Sequence, residues 1–228
     1  MTQYHEVAGT KVDRIASLSD AVFAIALTLT VLEVRIPGRQ GIMTEHDLTA
    51  AMLHVAPRVL TYLLSFMTLG VFWVGQQTLL NHLHRSDRYL TWLFLGFLAT
   101  IAIVPVSTGL LADYITYRTA VLLYWLNILA IGLVSLAAIR YAHRAGLVDG
   151  RAGAEACSAL WRRLVVGQIL YAFGAVLCLI HTYWSIAFIV IVQAFFAFGP
   201  HRLPWRKRRR SLAAETGRAS EFRGSGTR

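Results

Sequence analysis

The sequence predicts an all-α integral membrane protein with six transmembrane helices per subunit. Three observations predict it. Of the 228 residues, 56% are hydrophobic and only 15% are charged, too few charges to coat a soluble domain of this size. Four stretches of more than 20 residues carry no Asp, Glu, Lys or Arg, the length a bilayer-crossing helix needs. The basic residues gather in alternate connections, as the positive-inside rule requires. This composition argues against an ordinary cytoplasmic enzyme and against a nucleic-acid-binding domain. The chain is read as a six-helix membrane domain over residues 1–204 and a basic, disordered cytoplasmic tail over 205–228.

The first helix is predicted near 12–36, with Pro37-Gly38 as its stop. Its apolar core, Ala21 to Leu32, is short, and Arg14, Asp20 and Glu33 lie on or close to the membrane. Such charges must face protein or water. The second helix is predicted near 50–83, around the uncharged run Val59 to Asn81, and the third near 88–112, around Tyr89 to Ala112. The fourth is predicted near 118–142, around Thr119 to Ile139. Ala145 to Ala159 is rich in Gly and Ala and reads as a linker. Leu164 to Pro200 is too long for one span, and His181-Thr182-Tyr183-Trp184 divides it into helices near 159–180 and 184–200. Tyr89, Trp92, Tyr114, Tyr117, Tyr183 and Trp184 stand where interfacial aromatic belts belong.

The loops 82–88 and 140–163, the N-terminus and the tail are rich in Lys and Arg, and the intervening loops are poorer. Both termini are therefore expected in the cytoplasm, at the plasma membrane. From His201 to Arg228 nine Lys or Arg stand against two Glu, which fits contact with anionic lipid better than with nucleic acid. Cys157 and Cys178 form no paired framework and read as free thiols. His82-x-His84 lies at a spacing that does not face one ion on a helix, so no metal site and no cofactor are expected. No nucleophile, phosphate-binding or metalloprotease motif is present, and the chain is not read as an enzyme. Asn127, Gln168 and Gln193, within spans, are expected to make interhelical hydrogen bonds.

The first helix carries the most information. Leu18, Val22, Ile25, Leu29, Leu32 and Ile36 repeat at spacings of 4, 3, 4, 3 and 4, the seam of a coiled coil. Ser19 and Asp20 point away from that seam, and Arg14 projects close to it. Two readings stay open. The seam packs within the subunit while Arg14 and Asp20 form a buried pair, or several copies of the helix surround an axis and the seam lines a narrow pore.

The run from Arg14 to Glu33 resembles the first helix of the lysosomal potassium channel family and its prokaryotic homologues, marked by R-x-x-x-F-S-D. Arg14, Ser19 and Asp20 match, and Leu18 stands in place of the Phe. Phe72-Trp73 in the second helix also fits, whereas Gln76 and Gln77 occupy positions where many members carry histidine. The resemblance implies a homotetramer in which helix 1 of each subunit lines a central pore. It implies a passive, potassium-favouring cation channel without a carbonyl filter, in keeping with the lack of a T-V-G-Y-G run. Carried over by offset from Ser19-Asp20, the constriction falls on Ile25, Leu29 and Leu32, and a hydroxyl layer on Thr28. Glu33 is then expected at the pore mouth, and Arg14, Ser19 and Asp20 in a structural role. A proton-conducting channel of the same architecture is the alternative, followed by a six-helix secondary transporter or a structural membrane protein.

Overall fold

The computed structural model describes residues 12–36, 38, 44–178 and 182–198. The expected tail over 205–228 lies outside these residues. Seven α-helices make up the described chain: α1 (Val12–Val31), α2 (Glu45–Leu80), α3 (Arg88–Ala102), α4 (Val104–Asp113), α5 (Arg118–Arg144), α6 (Gly150–Leu177) and α7 (Thr182–Phe198). α3 and α4 together form the third span, Arg88–Asp113. Five spans are long and apolar enough to cross a membrane, and α7 adds a shorter apolar helix. The chain is a multi-pass, all-helical membrane protein.

Local chemistry explains the helix ends. Thr44 and Asp47 cap α2 reciprocally, each backbone N–H donating to the other's side chain at 3.0 and 3.2 Å. The Asp87 carboxylate accepts from Leu90 N at 2.8 Å and starts α3. Pro105 has no N–H to give, and the third span breaks there into α3 and α4 at Ile103. α5 ends in a Schellman motif, with Gly146 at φ 64° and Leu147 N donating to Ala142 O at 3.0 Å.

Several boundaries differ from expectation. α1 ends at Val31, not near residue 36. Leu32, Glu33 and Val34 instead donate to the carbonyls three residues back, a tightened turn that closes the helix before the Pro37-Gly38 stop. The capping box starts α2 at Glu45 rather than near 50. The segment expected as a linker, 145–159, is mostly helix, because α6 begins at Gly150. The alanines at 152, 154, 156 and 159 favour helix over loop. Gly153 is buried where Val148 crosses it, too close for any Cβ.

The connection between α2 and α3 meets the connection between α5 and α6. Leu83 and Val148 form an antiparallel bridge, flanked by His84 N donating to Leu147 O and Asp149 N to His82 O. α1 packs against α2, α3 and α4, and α5 packs against α3, α4 and α6. The larger apolar core joins Phe23, Phe97, Ile101, Tyr124, Ile128 and Ile189. A smaller one lies at the end that carries the bridge and includes Ile15, Leu83, Phe94, Ile139 and Leu147.

A polar column crosses the larger core. The Tyr124 hydroxyl lies 3.2 Å from both Ser65 Oγ and Thr68 Oγ1. Thr108 donates to Ser65 at 2.6 Å, and the Gln193 amide donates to Thr68. Asn127 Nδ2 donates to Ser107 Oγ at 3.1 Å, and Gln168 Nε2 to Ile128 O at 3.3 Å. The three amides expected to bridge helices do so. A hydroxyl or amide in a span has no water to turn to, so cross-helix partners satisfy it.

Candidate functional site

α1 has two distinct faces. Ile15, Ser19, Phe23, Ala26 and Thr30 are buried against the rest of the subunit. The seam lies about 100° around the helix from that stripe, at 100° per residue. Apart from Val22, which packs partly against the larger core, it is left open within the subunit. Leu18 is 45% exposed, Ile25 58%, Leu29 43% and Leu32 66%, against 1% for Phe23. The reading in which the seam belongs to the subunit's own core is therefore overturned. The stripe that the sequence spacing picks out is the more exposed one, and the other stripe is the buried one.

The Arg14–Asp20 pair is not formed either. Arg14 is exposed and, among the described residues, makes no ion pair. Asp20 is held by α2 instead. Trp73 Nε1 donates to Asp20 Oδ1 at 2.9 Å, and Gln77 Nε2 donates to the same oxygen at 2.5 Å. Trp73 and Gln77 stand four residues apart, one turn, so both reach one carboxylate from one helix face. Gln77 thus takes part in a network with α1. Ser19, beside Asp20, is fully buried, and its hydroxyl finds no partner among the described residues.

Thr28 turns back on its own helix, its hydroxyl donating to Ala24 O at 3.0 Å and Ile25 O at 2.9 Å. The proton is spent there, and the oxygen lone pairs remain exposed. Glu33 follows the end of α1. Its carboxylate lies against Gly109 of α4, where an added Cβ would come within 2.5 Å of Oε2. It approaches Arg35 at 3.9 Å, and its carbonyl accepts from Arg58. Arg58 in turn pairs with Asp113 at 2.6 Å. Glu33 is thus tied to its own subunit rather than extended from the helix end.

Sequence reasoning missed Trp73 and Gln77 as the holders of Asp20. Their one-turn spacing was visible, but nothing local pairs them with a carboxylate more than 50 residues away. It also missed the Tyr124 node, whose partners Ser65 and Thr68 on α2 are joined in turn by Thr108 of α4 and Gln193 of α7.

The chain is similar to proteins already known. The sequence profile described as "Endosomal/lysosomal potassium channel TMEM175" matches residues 14–105, which include all but the first two residues of α1 and all of α2 and α3. A protein named a potassium channel from Streptomyces collinus is 29% identical over 85% of this chain and 95% of its own length. One from Chamaesiphon minutus is 31% identical over 81% of this chain and 92% of its own. The human endosomal/lysosomal proton channel TMEM175 is 28% identical over 77% of this chain, which spans 34% of that longer protein. The crystal structure of a lysosomal potassium-selective channel TMEM175 homolog from Chamaesiphon minutus superposes with a TM-score of 0.70. The match covers 82% of this chain and 96% of that one at 28% identity. By this shared length, fold and motif-bearing first helix, the chain belongs to the TMEM175 family.

Proposed function

We propose that the chain is one subunit of a passive, potassium-favouring cation channel, a homotetramer in which four copies of α1 surround the conduction path. The observation that carries this reading is the seam of α1, apolar, regularly spaced and left uncovered by its own subunit. The relatives from Streptomyces collinus and Chamaesiphon minutus are named potassium channels, which favours the same function here.

Rings of Ile25, Leu29 and Leu32 then form the constriction. A narrow apolar bore closes by dewetting and opens when it admits a partly hydrated ion. Potassium sheds water more readily than sodium, so such a neck favours potassium. Ile25 and Leu29 act from the helix, and Leu32 from the turn that ends it. Thr28 contributes oxygen lone pairs beside the neck. Glu33 stands near the mouth, and its tie to Gly109 and Arg35 limits its role to a nearby negative charge. Asp20 is structural: held by Trp73 and Gln77, it fixes the angle of α1 against α2. Ser19 allows close packing at that crossing, and Arg14 sits at the entry on the seam side.

Arg14, Arg85, Arg88, Arg140, Arg144, Arg162 and Arg163 lie toward the end of the bundle that carries the Leu83–Val148 bridge. By the positive-inside rule this end, with both termini, faces the cytoplasm of a plasma membrane, and the basic tail rests on anionic lipid.

Proton conduction is the second reading, favoured by the name of the human relative. An apolar neck passes protons along a transient water wire. Flux from liposomes with opposed potassium and sodium gradients and a proton-sensitive dye separates the two. A potassium-driven potential that changes on Ile25→Asn supports the channel and its neck. Proton flux without potassium flux replaces the ion assignment, and no flux from intact oligomer overturns conduction altogether.

A further inference from the structure

A groove of about 250 Å³ runs between α5 and α6. Arg140, His143 and Arg144 line it from α5, and Ser158 and Trp161 from α6. Ile139 and the buried Cys157 form its apolar floor. No carboxylate lines it, and among the described residues none of its three basic side chains makes an ion pair. Two guanidinium groups one turn apart repel each other unless an anion lies between them.

The groove lies at a defined depth. α5 carries no charge from Thr119 to Ile139, and α6 carries none from Leu164 onward. Arg140 and Trp161 therefore mark the level where hydrocarbon gives way to headgroups. From Arg140 the same line of α5 continues through Leu133 and Leu126, both exposed, in steps of about 10 Å. An apolar track thus leads from the basic groove into the bilayer.

We propose that this groove binds one anionic phospholipid per subunit. The phosphate sits between Arg140 and Arg144, whose planar guanidinium groups suit bidentate contact with phosphate oxygens. Trp161 lies at headgroup level, and one acyl chain follows Leu133 and Leu126. A soluble phosphate shares the headgroup chemistry but has no use for the apolar track. The site is independent of what the protein conducts.

The test is native mass spectrometry of the purified full chain in phosphatidylcholine, titrated with phosphatidylglycerol. The expected result is one phosphatidylglycerol retained per chain, at least tenfold in preference to phosphatidylcholine. Arg140→Gln with Arg144→Gln should abolish that preference. Ser158→Trp, which fills the groove and keeps every charge, should abolish it too. Arg151→Gln, on an arginine outside the groove, should leave it intact. Equal retention of the two lipids, or an unchanged preference in both groove variants, overturns the proposal. Displacement of phosphatidylglycerol by an equal concentration of glycerol 3-phosphate makes this a soluble-phosphate site and overturns the lipid assignment.

Discussion

Gln77 of α2 donates its side-chain amide to the Asp20 carboxylate of α1 at 2.5 Å, sharing the acceptor oxygen with Trp73. Two donors from one helix fix a charge on another, and with it the crossing of the two helices. A hydrogen bond to a charged group contributes about 2 kcal/mol, less where water reaches it. Gln77→Leu should therefore cost ~1–2 kcal/mol and lower the thermal unfolding temperature of the detergent-solubilised protein. Trp73→Phe should act in the same direction. Unfolding temperatures of both variants equal to the parent would show that the clamp does not hold α1.

Ile25→Asn should raise potassium flux and weaken discrimination against sodium, because a polar ring wets the neck that Ile25 keeps dry. The measurement is potassium and sodium flux from proteoliposomes at matched protein density. Unchanged conduction and selectivity in a folded variant would remove Ile25 from the constriction.

Tyr124→Phe should destabilise the bundle by ~1–3 kcal/mol. It deletes the hydroxyl that Ser65 and Thr68 share and leaves both with fewer partners in a site without water. Denaturant titration of the solubilised protein, followed by tryptophan fluorescence, reads the shift in midpoint. Because the column lies in the core, away from the α1 seam, ion selectivity should not change.

Gly132→Ala should cost ~1–3 kcal/mol through overpacking. The added methyl would occupy the place of the Gln168 side chain, which would have to move and release its bond to Ile128 O. Gly70→Ala is the control, since a Cβ there meets nothing within 4 Å. Equal unfolding midpoints for the two variants would show that α5 and α6 accommodate the methyl freely.

What the sequence made legible follows from which forces are local. The seam of α1 was visible because its 4-3 spacing is a property of one helix, and the amides at 127, 168 and 193 were visible because a polar group in a span must find a partner. Whether the seam was buried or free was not visible, since periodicity names a face without naming its neighbour. The holders of Asp20 were hidden for the same reason: Trp73 and Gln77 meet it through a crossing of two helices that no local pattern records. The start of α6 was misjudged because Gly and Ala were weighed as linker residues. The alanines instead promote helix, and Gly153 serves the close approach of Val148.

The bridge between Leu83 and Val148 gives α2 a mechanical role. Gln77 stands in the last turn of α2 and Leu83 only six residues beyond it, so the clamp on Asp20 and the bridge to the α5–α6 connection meet at the same end of that helix. A displacement of residues 147–149 passes through the turn at 81–83 and the last turn of α2 to Asp20, mid-way along α1. The turn that joins α5 and α6 is thus linked to α1 through the end of α2, two connections away in the chain.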